Sequence, residues 1–241
     1  MITSTPGYTG WLGNQMFQYA AMRALGLKYD IPTFFPNKDP NLNAIFRTTQ
    51  SSFIEGEYDS YVEPFYHYQE IPLVSENMVL FGYYQSEKYF KDFEKEIKKE
   101  FTFADPNCNP HIAKDKVSIH VRRGDYLNLE DHHPVCSMEY YKEAMEVFGD
   151  CNFLIFTDDK EWCQQNFKGE EFTFSFEYNP LHDLELMTYC DHHIIANSSF
   201  SWWGAWLGHN KDKKIVAPKK WFGPAKDHDT KDLYCPSWIV V

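Results

Sequence analysis

Lys116-Val117-Ser118-Ile119-His120-Val121-Arg122-Arg123-Gly124-Asp125-Tyr126 runs as a β-prone segment into two arginines and a glycine. It opens a regular alternation. Further strand-like runs lie at 152–157, 172–176, 192–196 and 214–217, and helix-like runs at 137–148, 160–167, 181–190 and 200–208 fall between them. Strand and helix in turn predict a parallel, doubly wound sheet. In such sheets ligands sit at the carboxyl ends of the strands.

Three of those ends carry polar clusters. Arg122 and Arg123 leave the first strand as adjacent guanidinium forks suited to a phosphate or carboxylate, and Gly124 admits a close backbone approach. Thr157-Asp158-Asp159 follows an apolar run, and Asn197-Ser198-Ser199-Phe200-Ser201 opens the helix Trp202-Trp203-Gly204-Ala205-Trp206-Leu207. Hydroxyls and free N–H groups at a helix start attract anions. Together the clusters fit a nucleotide diphosphate. Arg123-Gly124-Asp125 also spells the cell-adhesion tripeptide, which needs a protruding extracellular loop. Asp227-His228-Asp229 is an Asp-x-Asp in a polar tail and reads as solvated loop; His132-His133 and His192-His193 lack the i, i+4 spacing of a zinc site, so no metal is expected.

Before residue 111 the pattern is weaker. Residues 1–5 are β-prone, 14–25 read as a helix with Asn14 as N-cap, and 31–35 and 78–84 as strands. The stretch 36–72 reads mostly as loop, 86–100 as a charged amphipathic helix opened by Ser86, and 101–116 as a linker. The expected division is 1–110 and 111–241. Gly7, Gly10 and Gly13 form Gly-x-x-Gly-x-x-Gly and not the dinucleotide pattern, although Asp30 lies near the offset of a ribose-binding acid. A nicotinamide enzyme is therefore a weaker reading, and the phosphate-loop pattern is absent.

Composition narrows the class. The 241 residues carry 35 acidic against 23 basic side chains, a net −12, which argues against a general nucleic-acid surface. Hydrophobic residues at 43% fit a globular core. No run approaches the about 18 apolar residues of a membrane helix, and no secretory signal is visible, so a cytoplasmic location is expected. The six cysteines include no Cys-x-x-Cys pair, which suits reduced thiols. Aromatic residues make up 18% of the chain and suit either a core or a sugar-binding cleft.

Gly10-Trp11-Leu12-Gly13-Asn14-Gln15-Met16-Phe17-Gln18-Tyr19-Ala20 resembles the Gly-x-Leu-Gly-Asn-Gln-(Leu/Met)-Phe-Gln-Tyr-Ala signature of α-1,2-fucosyltransferases. His120 to Tyr126 is similar to their His-x-Arg-Arg-Gly-Asp-Tyr motif, and Phe156 to Asp159 and Asp191 to Leu207 to two further motifs, in the same order. The resemblance implies an α/β, GT-B-type enzyme of two Rossmann-like lobes, the N-terminal one reduced. It implies GDP-fucose as donor, inversion at the anomeric carbon, a glycan acceptor (galactose O2), and neither metal nor other cofactor. Arg122 would neutralise the β-phosphate, with Arg123 supporting it or holding the fold. Asn197, Ser198, Ser199 and the Phe200 backbone would cradle the diphosphate. Asp183 would pair with guanine, with His120 nearby, and Asp158 or Asp159 would lie near the nucleoside. Asp125 is the candidate base, or else orients Arg122. Gly13, Asn14 and Gln15 mark the N-terminal motif. A glycan on Asn197 would obstruct the diphosphate, and the rings of Phe53 to Tyr68 are expected near the acceptor. Against that family the sequence reads as shorter than typical members, and no membrane anchor like that of the animal enzymes is expected. The alternative is a non-catalytic nucleotide-sugar or glycan-binding module.

Overall fold

The computed structural model describes residues 1–4, 11–36, 41–49, 51–175 and 179–241. They cluster into two units: Met1–Asp105 with His228–Cys235, and Pro106–Asp227 with Pro236–Val241. The tail segment 228–235 thus belongs to the first unit, a return that the linear division at 110 did not contain.

The first unit contains β1 (Ile2–Ser4), α1 (Leu12–Tyr29), β2 (Thr33–Phe34), α2 (Leu42–Ile45), β3 (Asp59–Val62), β4 (Met78–Phe81) and α3 (Glu94–Glu100). The sheet is parallel in the order β2-β1-β4-β3. Ser4 and Leu12 bracket residues that the structure does not describe, so the first two glycines of the N-terminal motif lie outside it. Helix α1 begins two residues before the expected start. Trp11 occupies the cap position without a side-chain bond, so Asn14 is not the N-cap but a first-turn residue. The helix is buried on most of its circumference, with Met16, Phe17, Tyr19, Ala20 and Met22 at 0% exposure. Gly26 lets it close on the sheet, since a Cβ there would lie 2.2 Å from the Thr33 methyl. The stretch read as loop holds α2 and β3. The region 86–100 is two 3-10 turns followed by α3, because Phe90 leaves helical geometry at φ −138°. A buried Glu100 carboxylate anchors α3 to α1, taking hydrogen bonds from Tyr19 Oη and from Arg23 Nε at 2.9 Å.

The second unit alternates as expected: β5 (Lys116–Val121), α4 (Met138–Glu146), β6 (Asn152–Thr157), α5 (Lys160–Asn166), β7 (Phe172–Phe174), α6 (Pro180–Thr188), β8 (His192–Ile194), α7 (Ser199–Leu207) and β9 (Ile215–Ala217). A short β10 (Ile239–Val240) extends a parallel sheet ordered β10-β9-β8-β5-β6-β7. Phe153 and Ile155 of β6 pack into one core and Leu154 and Phe156 into another, so both faces are covered and the strand reads as a continuous apolar run. Trp202 and Trp203 are fully buried, ring centroids 5.0 Å apart, and the tryptophans of α7 are packing residues. All six cysteines are free. Among the described residues no helix is long and apolar enough to cross a membrane.

Candidate functional site

In the second unit the chain builds β5, steps outward to β6 and β7, then returns to lay β8 on the other side of β5. The order reverses between β5 and β8. That reversal opens a crevice at the carboxyl ends, where open α/β sheets bind ligands. Arg122 and Arg123 leave β5 beside it, and Asn197 to Phe200 leave β8.

The arginines are held by carboxylates. Arg122 Nη2 lies 2.6 Å from Asp125 Oδ1 and Nη1 lies 2.8 Å from Asp158 Oδ2. Asp158 Oδ1 also accepts the Arg123 N–H at 2.8 Å, which fixes the backbone between the two guanidiniums. Gly124 permits this: a Cβ there would lie 2.7 Å from Asp158 Oδ2. Arg123 Nε lies 3.0 Å from Asp159 Oδ2, and its guanidinium rests over the Trp162 ring at 4.2 Å. Asp159 also caps α5 by accepting the Trp162 N–H at 3.1 Å. Asp158 and Asp159 are therefore turned onto arginines, and the Arg123 side chain is engaged by Asp159 and Trp162. Two guanidiniums face three carboxylates, so the cluster is neutralised. The arginines alone do not leave the local surplus of positive charge that the sequence suggests.

The β8 end offers different chemistry. Asn197 is 1% exposed; its Nδ2 donates to Pro134 O at 2.8 Å and Trp221 O at 3.0 Å. The sequon asparagine is thus a buried tie between loops. Ser198 occupies the cap position of α7 without a side-chain cap bond, beside the N–H groups of Ser199 and Phe200 in the first turn. His120, near the end of β5, is buried against the Phe200 ring at 5.5 Å, and its Nδ1 has no partner among the described residues. Burial first, and then Arg122, push its pKa down to about 3, so the imidazole is neutral. Asp183 stands in the first turn of α6, where Ser175 Oγ at the end of β7 donates to its Oδ1 at 2.5 Å. β7 lies two strands from β5, about 10 Å across the sheet.

Sequence reasoning missed one cluster. The Arg122 guanidinium lies over the Tyr126 ring at 5.3 Å, and Tyr126 stacks on His133 at 4.9 Å. His133 Nε2 accepts from Lys226 Nζ at 3.2 Å, and Lys226 lies over Phe222 at 5.2 Å. Residues 126, 133 and 226 have no common period, so only the fold unites them. The Asp-x-Asp of the tail divides: Asp229 pairs with Lys231 at 2.9 Å and His67 at 3.3 Å, both in the first unit.

The first unit has its own reversal, between β1 and β4. Around it, Asn14 Oδ1 accepts from Gln85 Nε2 at 2.7 Å, Gln85 Oε1 accepts from Tyr66 Oη, and Gln18 Nε2 donates to Gly82 O at 3.0 Å. Gln15 is 1% exposed, and among the described residues neither side-chain polar atom has a partner. Gly13, the third member of the motif, precedes them in the first turn of α1. Glu63, just past β3, accepts the N–H groups of Tyr83 at 2.7 Å and Tyr84 at 3.1 Å, and burial raises its pKa to about 7. Tyr84 is held at a φ of 53°.

Residues 30–241 match the profile described as Glycosyl transferase family 11. The chain is 30% identical to an Escherichia coli protein named alpha-1,2-colitosyltransferase, over 88% of this chain and 90% of that one. It is 28% identical to Rattus norvegicus galactoside alpha-(1,2)-fucosyltransferase 1, over 99% of this chain and 72% of that protein. A crystal structure of NodZ alpha-1,6-fucosyltransferase soaked with GDP-fucose aligns over 86% of this chain and 92% of that one, with a TM-score of 0.50 and 12% identity, a likeness of fold. The expected α/β architecture of GT-B type and the family resemblance both hold. The protein belongs to glycosyl transferase family 11 and is an α-1,2-fucosyltransferase-like enzyme catalysing fucosyl-type transfer.

Proposed function

We propose that the enzyme transfers L-fucose from GDP-fucose to O2 of a galactose-bearing glycan, with inversion at the anomeric carbon and without a metal. The observation that carries this is Arg122, fixed by two carboxylates at the β5–β8 crevice beside the uncapped start of α7. In the transfer the anomeric C–O bond to the β-phosphate breaks and its electron pair leaves with GDP. The acceptor oxygen forms the new bond to the anomeric carbon, and its proton passes to a base. Negative charge grows on the β-phosphate oxygens, where a fixed guanidinium and helix N–H groups stabilise it without reorganising. Arg122, Ser198 and the N–H groups of Ser199 and Phe200 are assigned to the diphosphate. Neutral His120 serves as a hydrogen-bonding wall of the donor site, and Asp183, two strands away, takes the guanine. Arg123, Asp158, Asp159 and Asn197 hold these groups in place. Asp125 orients Arg122 and is the candidate base within this unit.

The first unit is assigned to the acceptor. Asn14, Gln15 and Gln85 gather uncharged amides at the β1–β4 reversal, those of Gln15 and Gln85 buried, and exposed Phe53 and Phe65 add ring faces, groups that suit sugar hydroxyls and C–H surfaces. Free thiols and a buried sequon asparagine support a cytoplasmic site of action. The colitosyltransferase similarity favours a second donor reading, the 3-deoxy analogue GDP-colitose. Incubating the protein with each donor and a panel of galactosides, followed by linkage analysis, tests these points. Transfer from GDP-fucose with an α-1,2 link is expected. Binding of donor without turnover would establish the non-catalytic module instead.

A further inference from the structure

We propose that Lys226 is a further cationic contact for the donor's diphosphate, presented beside Arg122 through the Tyr126–His133 stack. The proposal rests on the donor reading above and deepens it. Its starting point is charge: Asp125, Asp158 and Asp159 already neutralise Arg122 and Arg123. A nucleoside diphosphate needs positive charge that is not already matched. Lys226 provides it. Among the described residues its ammonium has no carboxylate partner; its contacts are His133 Nε2 at 3.2 Å and the face of Phe222 at 5.2 Å.

Its place is fixed by the backbone around it. Gly223 N–H donates to His132 O at 3.0 Å and Ala225 N–H to Asp131 O at 2.8 Å. Asn197 Nδ2 reaches Trp221 O at 3.0 Å and so ties the same segment to the start of α7. On the other side, Tyr126 receives the Arg122 guanidinium and stacks on His133, and Tyr126 Oη donates to Asn197 O at 3.2 Å. The His133 imidazole feels Lys226, Asp125 and Arg122 together, after burial, which places all four groups in one electrostatic neighbourhood. Accepting from an ammonium through Nε2 puts the His133 proton on Nδ1, and that buried atom also has no partner. Desolvation lowers the Lys226 pKa, the mark of a cation without a counterion. An arriving diphosphate supplies the missing charge.

Calorimetric titration of GDP and of guanosine into the wild type, Lys226→Met and Lys226→Arg decides the matter, together with thermal unfolding of each chain alone. Lys226→Met is expected to weaken GDP at least tenfold, the worth of one charged hydrogen bond, and leave guanosine unchanged. Lys226→Arg recovers most of the loss. Lys226→Met removes the hydrogen bond to His133 Nε2, so its ligand-free Tm falls by a few degrees at most while guanosine affinity is kept. GDP affinity within twofold of wild type in Lys226→Met overturns the proposal, as does a lower ligand-free Tm with equal losses for GDP and guanosine. A wild-type chain that binds neither ligand overturns the donor reading itself, and this proposal with it.

Discussion

Lowering the pH from 7 to 5 is expected to destabilise the second unit by at least about 4 kcal/mol, chiefly through two fully buried histidines that the fold holds neutral, with half-buried His133 adding in the same sense. His120 and His193 are both buried, with pKa values pushed down to about 3. Burial is the larger cause in each; Arg122 adds to it at His120, and Lys213 with His192 at His193. His193 Nδ1 lies 2.8 Å from Ser118 Oγ, and its Nε2 is buried without a partner. In the unfolded chain a histidine protonates near pH ~6.5. A folded pKa below that value means that the unfolded state takes up protons first. The stability these residues share is therefore full above about pH 6.5, declines as the pH falls toward about 3, and is flat below. Between pH 7 and 5 each histidine accounts for about 2 kcal/mol. Tryptophan fluorescence isolates the unit, because Trp162, Trp202, Trp203, Trp206, Trp221 and Trp238 lie within it and only Trp11 lies in the other. At an m value of about 2 kcal/mol/M, the urea midpoint should fall by about 2 M. His193→Gln should recover about 1 M of the fall. A midpoint that moves by less than about 0.5 M between the two pH values refutes the reasoning. The first unit responds in the opposite sense, since the Glu63 pKa is raised to about 7 and its protonation favours the folded state as pH falls through that value.

Replacing Arg122 by Ala should lower kcat by about 100-fold or more while the far-UV spectrum stays native, because the charge on the leaving diphosphate loses its fixed partner. Turnover near the wild-type level would remove Arg122 from the mechanism. Gly124→Ala sets a Cβ 2.7 Å from Asp158 Oδ2 and displaces the carboxylate that orients Arg122. It should cost about 1–3 kcal/mol in urea titration and reduce transfer as well. Tyr19→Phe leaves the Thr49 N–H without its 3.0 Å acceptor and Glu100 with Arg23 alone. Circular dichroism should show a loss of about 1–3 kcal/mol in the first unit, and the fluorescence midpoint of the second should not move.

The second unit was legible because its central strands β5, β6 and β9 are buried almost throughout, β6 as a continuous apolar run covered on both faces, and segments of helical length separate the strands. The first was less so. β3 (Asp59–Val62) is mostly exposed and carries no apolar run, so nothing local separates it from loop. In the second unit, β10 is two residues long and exists through its pairing with β9. Asn14 resembles a cap, yet its amide bonds to Gln85, 71 residues away. Lys226 has no sequence signal, because its partner His133 is 93 positions earlier.

The amino-acid order by itself determined the parallel α/β alternation, the strand ends that bear polar groups, and the family. Burial of a strand or helix face depends on residues close in sequence, and short motifs preserve their identity. Only the tertiary structure decided how those groups are used. Asp158 neutralises Arg122, Asn197 is a buried tie, and Lys226 has no carboxylate partner among the described residues. The reason is Coulombic: whether a charge is free or matched depends on separations of about 3 Å between side chains, and only the folding of distant segments sets those distances.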